Sequence, residues 1–166
     1  MSVEKPPVKF FPGFFLDIVD KRAQYSGGEL PHRITLFPPL QQPYQTAFGE
    51  ELRTIVNPLQ PFEVTVATGT AMFGDESEPQ LVKLIEPSER LQLLHTTLVR
   101  VLGNLLHDEK YRQPYNPHIS VASEQEVPDG TTIHIGGFSI LEKIQGQSWT
   151  VVDKIGLKGD NDEITS

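Results

Sequence analysis

The chain has 166 residues, 37% hydrophobic and 22% charged, which is enough for one folded domain with a real core. Fourteen Lys+Arg against 22 Asp+Glu give a net charge of −8, which argues against a broad electrostatic footprint for duplex DNA or an anionic membrane. A small basic pocket for one or two phosphates remains compatible with that balance. There is no cysteine, hence no disulfide framework and no thiol chemistry. MSVEKPPVKF lacks the apolar core of a signal peptide, and no run approaches the roughly 18 apolar residues of a membrane helix, so a cytoplasmic location is expected. Residues 1–166 read as a single domain with a core over about 10–158 and frayed ends at 1–8 and 159–166. A monomer is expected.

KFFPGFFLDIVD predicts an opening strand, delayed by Pro12-Gly13, and RITLFPP a short strand stopped by Pro38-Pro39. From Tyr44 the apolar spacing turns helical through Phe48, Leu52, Ile55, Val56 and Leu59, with Pro43 suited to a first turn. FEVTVATG alternates as a strand, and QLVKLIEPS reads as another. Ser88 can cap a second helix whose stripe is Leu91, Leu94, Leu98, Val101, Leu102 and Leu105. HDEKYRQPYNP links it to the strand HISVAS. IHIGGFSILEKI and WTVVDKIGL then form a terminal hairpin across QGQS. The order implies an α+β domain of two related lobes.

Each half carries Pro-His near a strand: LPHRITLFPP at 30–39 and NPHISVAS at 116–123. In a strand, residues two apart share a face, so His118 and Ser120 project together. Imidazole moves protons near neutral pH, and a hydroxyl donates to a phosphate oxygen. One such pair is weak evidence, because a strand histidine is more often satisfied by packing. Two, each after Pro and each flanked by apolar residues, are harder to ascribe to chance.

On these two motifs, together with FEVTVATGTAMFG, VKLIEPSERLQLLHTTLVRVL, YNPHISVAS and FSILEKIQGQSWTVVDKIGL, the chain resembles the 2H phosphoesterases. That group includes 2′,5′ RNA ligase-like proteins and cyclic nucleotide phosphodiesterases. The resemblance implies a bilobal α+β fold, with two antiparallel sheets around a central cleft and helices outside. It also implies a metal-independent hydrolase of 2′,3′-cyclic or 2′,5′-linked nucleotide or RNA phosphodiesters, with no cofactor. A nucleotide or an RNA end bearing a cyclic phosphate is the implied partner. One histidine would activate water and the other would protonate the leaving ribose oxygen, each contributing typically about 10²–10⁴-fold. Hydroxyls would stabilise charge on the non-bridging oxygens. The resemblance carries over onto His118 and Ser120 directly.

The first motif departs from that pattern. Aligned on Ile34-Thr35-Leu36, Arg33 takes the histidine position; aligned on Pro31-His32, the threonine arrives one residue late. A β-bulge at His32-Arg33 would return His32 to the cleft as the catalytic partner of His118, with Thr35, Ser120 and Arg33 on the phosphate. A regular strand would instead present Arg33, which binds phosphate but cannot act as a base. Tyr115, Arg112 and Phe37 are candidate substrate contacts, although loop or core roles compete for each. His95, on the apolar helix face, is expected in the core. His107 at the helix end and His134 among isoleucines are expected to be structural, His134 with an option on the cleft. Trp149 is expected to pack in the hairpin. GTAMFGD lacks the Lys-Ser/Thr of a P-loop and the histidines lack metal-ligand spacing, so no metal site is expected. A weakly active or inactive relative that binds nucleotide or RNA phosphate, and a protein-interaction domain, are the competing functional readings.

Overall fold

A computed structural model describes residues 7–16, 20–25, 32–73, 80–105, 115–120 and 127–159, with backbone only at 73, 80 and 120. Among the described residues, ten strands and two α-helices form an α+β fold. The strands are β1 (Val8–Phe15), β2 (Gln24–Tyr25), β3 (Arg33–Thr35), β4 (Phe62–Thr65) and β5 (Ala71–Phe73), then β6 (Gln80–Leu84), β7 (His118–Ser120), β8 (Thr132–Ile135), β9 (Gly137–Ile144) and β10 (Trp149–Gly156). The helices are α1 (Thr46–Val56) and α2 (Glu89–Leu102). The main sheet runs β2-β10-β9-β1-β3-β7-β6-β5, antiparallel throughout, and β4-β8 form a separate ribbon.

The two motif strands, β3 and β7, are neighbours near the middle of the main sheet, joined by the pair Ile34↔Ile119. Both helices pack on one sheet face. α2 buries Leu91, Leu94, Leu98 and Leu102 completely, the stripe its spacing predicts, and burial of each such side chain is worth roughly 1.5–3 kcal/mol. Ser88 caps α2 by accepting a hydrogen bond from the Leu91 amide at 3.1 Å. α1 starts later than its Pro43 signal suggests: Gln45 is the N-cap residue and gives no side-chain cap. Leu52 and Val56 are its fully buried contacts.

Three local expectations change. Pro12-Gly13 does not delay β1, because the strand runs straight through them in register with β9. IHIGGFSILEKI is two strands in two sheets, divided at Gly136. Close packing explains the glycine that follows: a Cβ on Gly137 would meet the Ile155 carbonyl oxygen at 2.6 Å. Part of GTAMFGD is the edge strand β5. The register of β10 on β9 also shifts between Val151 and Asp153.

The second sheet face carries a small cluster of its own, Phe11, Phe15, Leu141, Trp149 and Val151. Lys9 and Lys143 both reach over the Trp149 ring, at 5.5 and 5.9 Å from its centroid. On the helix-packed face, Asp153 accepts from the Tyr44 hydroxyl at 2.6 Å and pairs with Arg53, tying α1 to β10. Among the described residues no helix is long and apolar enough to cross a membrane.

Candidate functional site

The pair Ile34↔Ile119 fixes what stands beside it. In an antiparallel ladder the flanking positions are then Arg33 opposite Ser120 and Thr35 opposite His118. Ile34 and Ile119 are fully buried on the helix-packed face, so positions 33, 35, 118 and 120 share the other face. A local two-fold through the isoleucine pair superposes Arg33-Ile34-Thr35 on His118-Ile119-Ser120. Arg33 therefore occupies the histidine position of the first motif.

The β1–β3 register is regular across this region. Gly13↔Thr35, Phe14↔Ile34 and Phe15↔Arg33 are successive pairs, and the Leu16 amide donates to the His32 carbonyl at 3.0 Å to continue the same ladder. No bulge intervenes at Arg33. His32 stands at a bend just before β3 and is buried. Burial pulls the Arg33 guanidinium pKa down from its usual value, yet a guanidinium stays charged at neutral pH.

The His118 Nδ1 lies 3.0 Å from the Asn116 carbonyl oxygen, which can only accept, so Nδ1 is the donor in this contact and the ring is oriented by it. An imidazole held this way can take a proton at Nε2. Ser120 occupies the matching register position on β7.

Tyr115 and Phe37 are built into the scaffold beside the site. The Tyr115 hydroxyl donates to the Thr35 carbonyl at 2.9 Å, and its ring stacks on His95 at 4.1 Å between centroids and 6° between planes. His95 Nδ1 donates to the Leu36 carbonyl at 2.8 Å. Burial lowers the His95 pKa while the Leu36 carbonyl works the other way, so the ring is neutral at pH 7. Phe37, only 1% exposed, lies 6.0 Å from the same imidazole. Gln92 completes the clamp by donating to the Tyr115 carbonyl at 2.9 Å. Helix α2 thereby anchors both the β3 backbone and the approach to β7, and His95 is the core histidine its helical position predicts. Tyr115→Phe is expected to lose about 1 kcal/mol of stability, read as a lower urea midpoint at unchanged slope. An unchanged midpoint would remove the clamp from the account. Arg112 and His107 lie outside the described residues.

The pattern of the 2′-5′ RNA ligase superfamily matches residues 20–144. The chain belongs to this superfamily. The fold agrees with the 2H phosphoesterase resemblance carried by the motifs. Three solved structures share it: TT0787 of Thermus thermophilus (21% identity, 92% of this chain and 99% of that one, TM-score 0.64), E. coli LigT complexed with 3'-AMP (13% identity, 91% and 98%, TM-score 0.59), and Usb1 of Kluyveromyces marxianus (11% identity, 90% and 98%, TM-score 0.53). No curated protein matches the sequence. Within the superfamily chain, sequence reasoning passed over a cavity of about 430 Å³ at the ends of β1, β9 and β10, lined in part by Phe15, His134, Ser139 and Lys154. His134 had signalled it weakly, as a histidine alternating with isoleucines.

Proposed function

We propose that this superfamily member binds the phosphate of a nucleotide or RNA end on the β3–β7 seam, and that its site holds one proton-transferring imidazole where a paired-histidine site holds two. Arg33 supplies a fixed positive charge, Thr35 and Ser120 supply hydroxyl donors, and His118 Nε2 is the proton acceptor. The observation that carries this reading is the Ile34↔Ile119 register, which makes Arg33 the counterpart of His118. A relative of the same fold, LigT, has been solved with 3'-AMP, which supports a nucleotide as the ligand class.

Hydrolysis of a cyclic phosphodiester needs one group to take a proton from water as the new P–O bond forms. It needs another to give a proton to the ribose oxygen as the old P–O bond breaks. Arg33 can do neither, so His118 serves one half of the reaction and turnover is slow. Membership of a phosphoesterase superfamily favours a second reading, in which His32 and His118 divide acid and base roles on a 2′,3′-cyclic or 2′,5′-linked substrate.

The test of binding is calorimetric titration of adenosine 3′-phosphate with chelator present. The wild type is expected to bind, and Arg33→Ala to bind about 10–100-fold more weakly, as befits the loss of a charge-assisted contact. Equal affinity in the two proteins would take Arg33 out of the site.

A further inference from the structure

The β3–β7 seam and the 430 Å³ cavity are connected by one rung of the main sheet. Thr35 stands opposite Gly13, Gly13 opposite Ser139, and Ser139 opposite Lys154. Directly opposite residues share a face, so this row lies on the same side as Arg33 and His118. Three strand spacings separate Thr35 from Lys154, about 14 Å between backbones. The two residues between them are small. Over the glycine lie the rings of Phe11 and Phe15, 3.0 and 3.6 Å from where a Cβ would stand. Phe15 is the cross-strand partner of Arg33 and also a wall of the cavity, so one aromatic ring borders both places.

Charge is segregated between the sheet faces. The charged strand positions on the Arg33 side, taken from the registers of β1, β3, β9 and β10, are Lys9, Arg33, Lys143 and Lys154. The carboxylates of these strands, Glu142 and Asp153, fall on the helix-packed side, where they accept hydrogen bonds from the Tyr44 amide and hydroxyl. On these four strands the charged positions of the Arg33 face are therefore all cationic, with Arg33 and Lys154 beside the site and Lys9 and Lys143 over Trp149.

We propose that the cavity is a second subsite, taking the nucleoside and the next phosphate of a ligand whose first phosphate sits at Arg33. This rests on the phosphate-binding reading above. Lys154 meets the second phosphate at the cavity, and its four-carbon stem shortens the 14 Å backbone interval to one that a nucleoside with a phosphate at each end can span. Phe15 offers an apolar ring to that nucleoside. The preferred ligand is accordingly a dinucleotide or an RNA terminus, in preference to a cyclic mononucleotide.

The experiment compares adenosine 3′-phosphate with adenosine 3′,5′-bisphosphate by calorimetry. Wild type is expected to bind the bisphosphate at least about tenfold more tightly, the increment of one charge-assisted contact. Lys154→Ala should bring the two affinities together, Lys154→Arg should keep most of the difference, and Arg90→Ala, removing an exposed charge from α2, should leave it intact. Lys154 is exposed, so its substitution spares the fold. Equal affinities in wild type, or a Lys154→Ala loss shared by both ligands or matched by Arg90→Ala, would overturn the subsite while leaving the first phosphate site standing. Failure of wild type to bind either ligand would overturn both.

Discussion

Arg33→His is expected to raise hydrolysis of a nucleoside 2′,3′-cyclic phosphate by about 10²–10⁴-fold over wild type, the range one positioned acid or base supplies. The substitution places an imidazole on the same face as His118, at the position related to it by the local two-fold about Ile34 and Ile119. His118, with Nδ1 held by the Asn116 carbonyl, would then share proton transfer with a second ring across one phosphorus. A bell-shaped pH profile should accompany the gain, because one ring must be neutral and the other protonated. His118→Ala added to Arg33→His should return the rate to the wild-type level or below it. His32→Ala should change little, since His32 is buried at the bend before β3 while Arg33 holds the position that matches His118. Turnover lost in His32→Ala and unimproved in Arg33→His would give the catalytic role back to His32.

Asp153→Ala is expected to cost about 2–3 kcal/mol of folding stability, read by urea denaturation at pH 7. The carboxylate joins the Tyr44 hydroxyl, the Arg53 guanidinium and the amide of Lys154 on its own strand, and its side chain is 10% exposed. Arg53 is 40% exposed, so water replaces part of what it loses, which keeps the figure below that of a fully buried ion pair. Burial alone would raise the Asp153 pKa. Hydrogen bonds from Tyr44, Arg53 and the Lys154 amide, with the Arg53 charge, outweigh it and hold the carboxyl below its usual range. A depressed folded pKa means that the contribution is complete above the unfolded value of about 3.9 and is lost as the pH falls through the folded one. Wild type and Asp153→Ala should therefore converge in stability on acidification. A variant as stable as wild type at pH 7 would show that the α1–β10 tie contributes nothing.

The helices and motif strands were legible in the sequence because their signals are local. Ser88 and the leucine stripe of α2 act within one helix, and His118-Ile119-Ser120 alternates within β7, while the rest of HISVAS lies outside the described residues. What the sequence left open at residues 32–35 was decided between strands. Both LPHRIT alignments satisfy local rules, and the ladder that β1 imposes through Phe15, Phe14 and Gly13 selects one of them. Phe37 and Tyr115 carried a similar ambiguity. Aromatic residues near a motif suit a ligand or a core equally well, and it is α2, through His95 and Gln92, that draws Tyr115 into the scaffold. The split of IHIGGFSILEKI between two sheets and the row from Thr35 to Lys154 depend on pairings many residues apart. No window of sequence contains them.

The irregularity anticipated in β3 occurs in β10 instead, between Val151 and Asp153. An uninterrupted strand would set residues 149, 151, 153 and 155 on one side, sending the aspartate toward the phosphate site and the lysine toward Arg53. The single extra residue, Val152, inverts the odd–even sense of everything after it. Trp149 and Val151 keep to one side while Asp153 crosses to the helices and Lys154 takes its place. The bulge thus keeps the Asp153 carboxylate on the helix side and Lys154 on the side of Arg33 in a strand of this length, and deleting Val152 would leave both facings as they are while closing the ladder into a regular one.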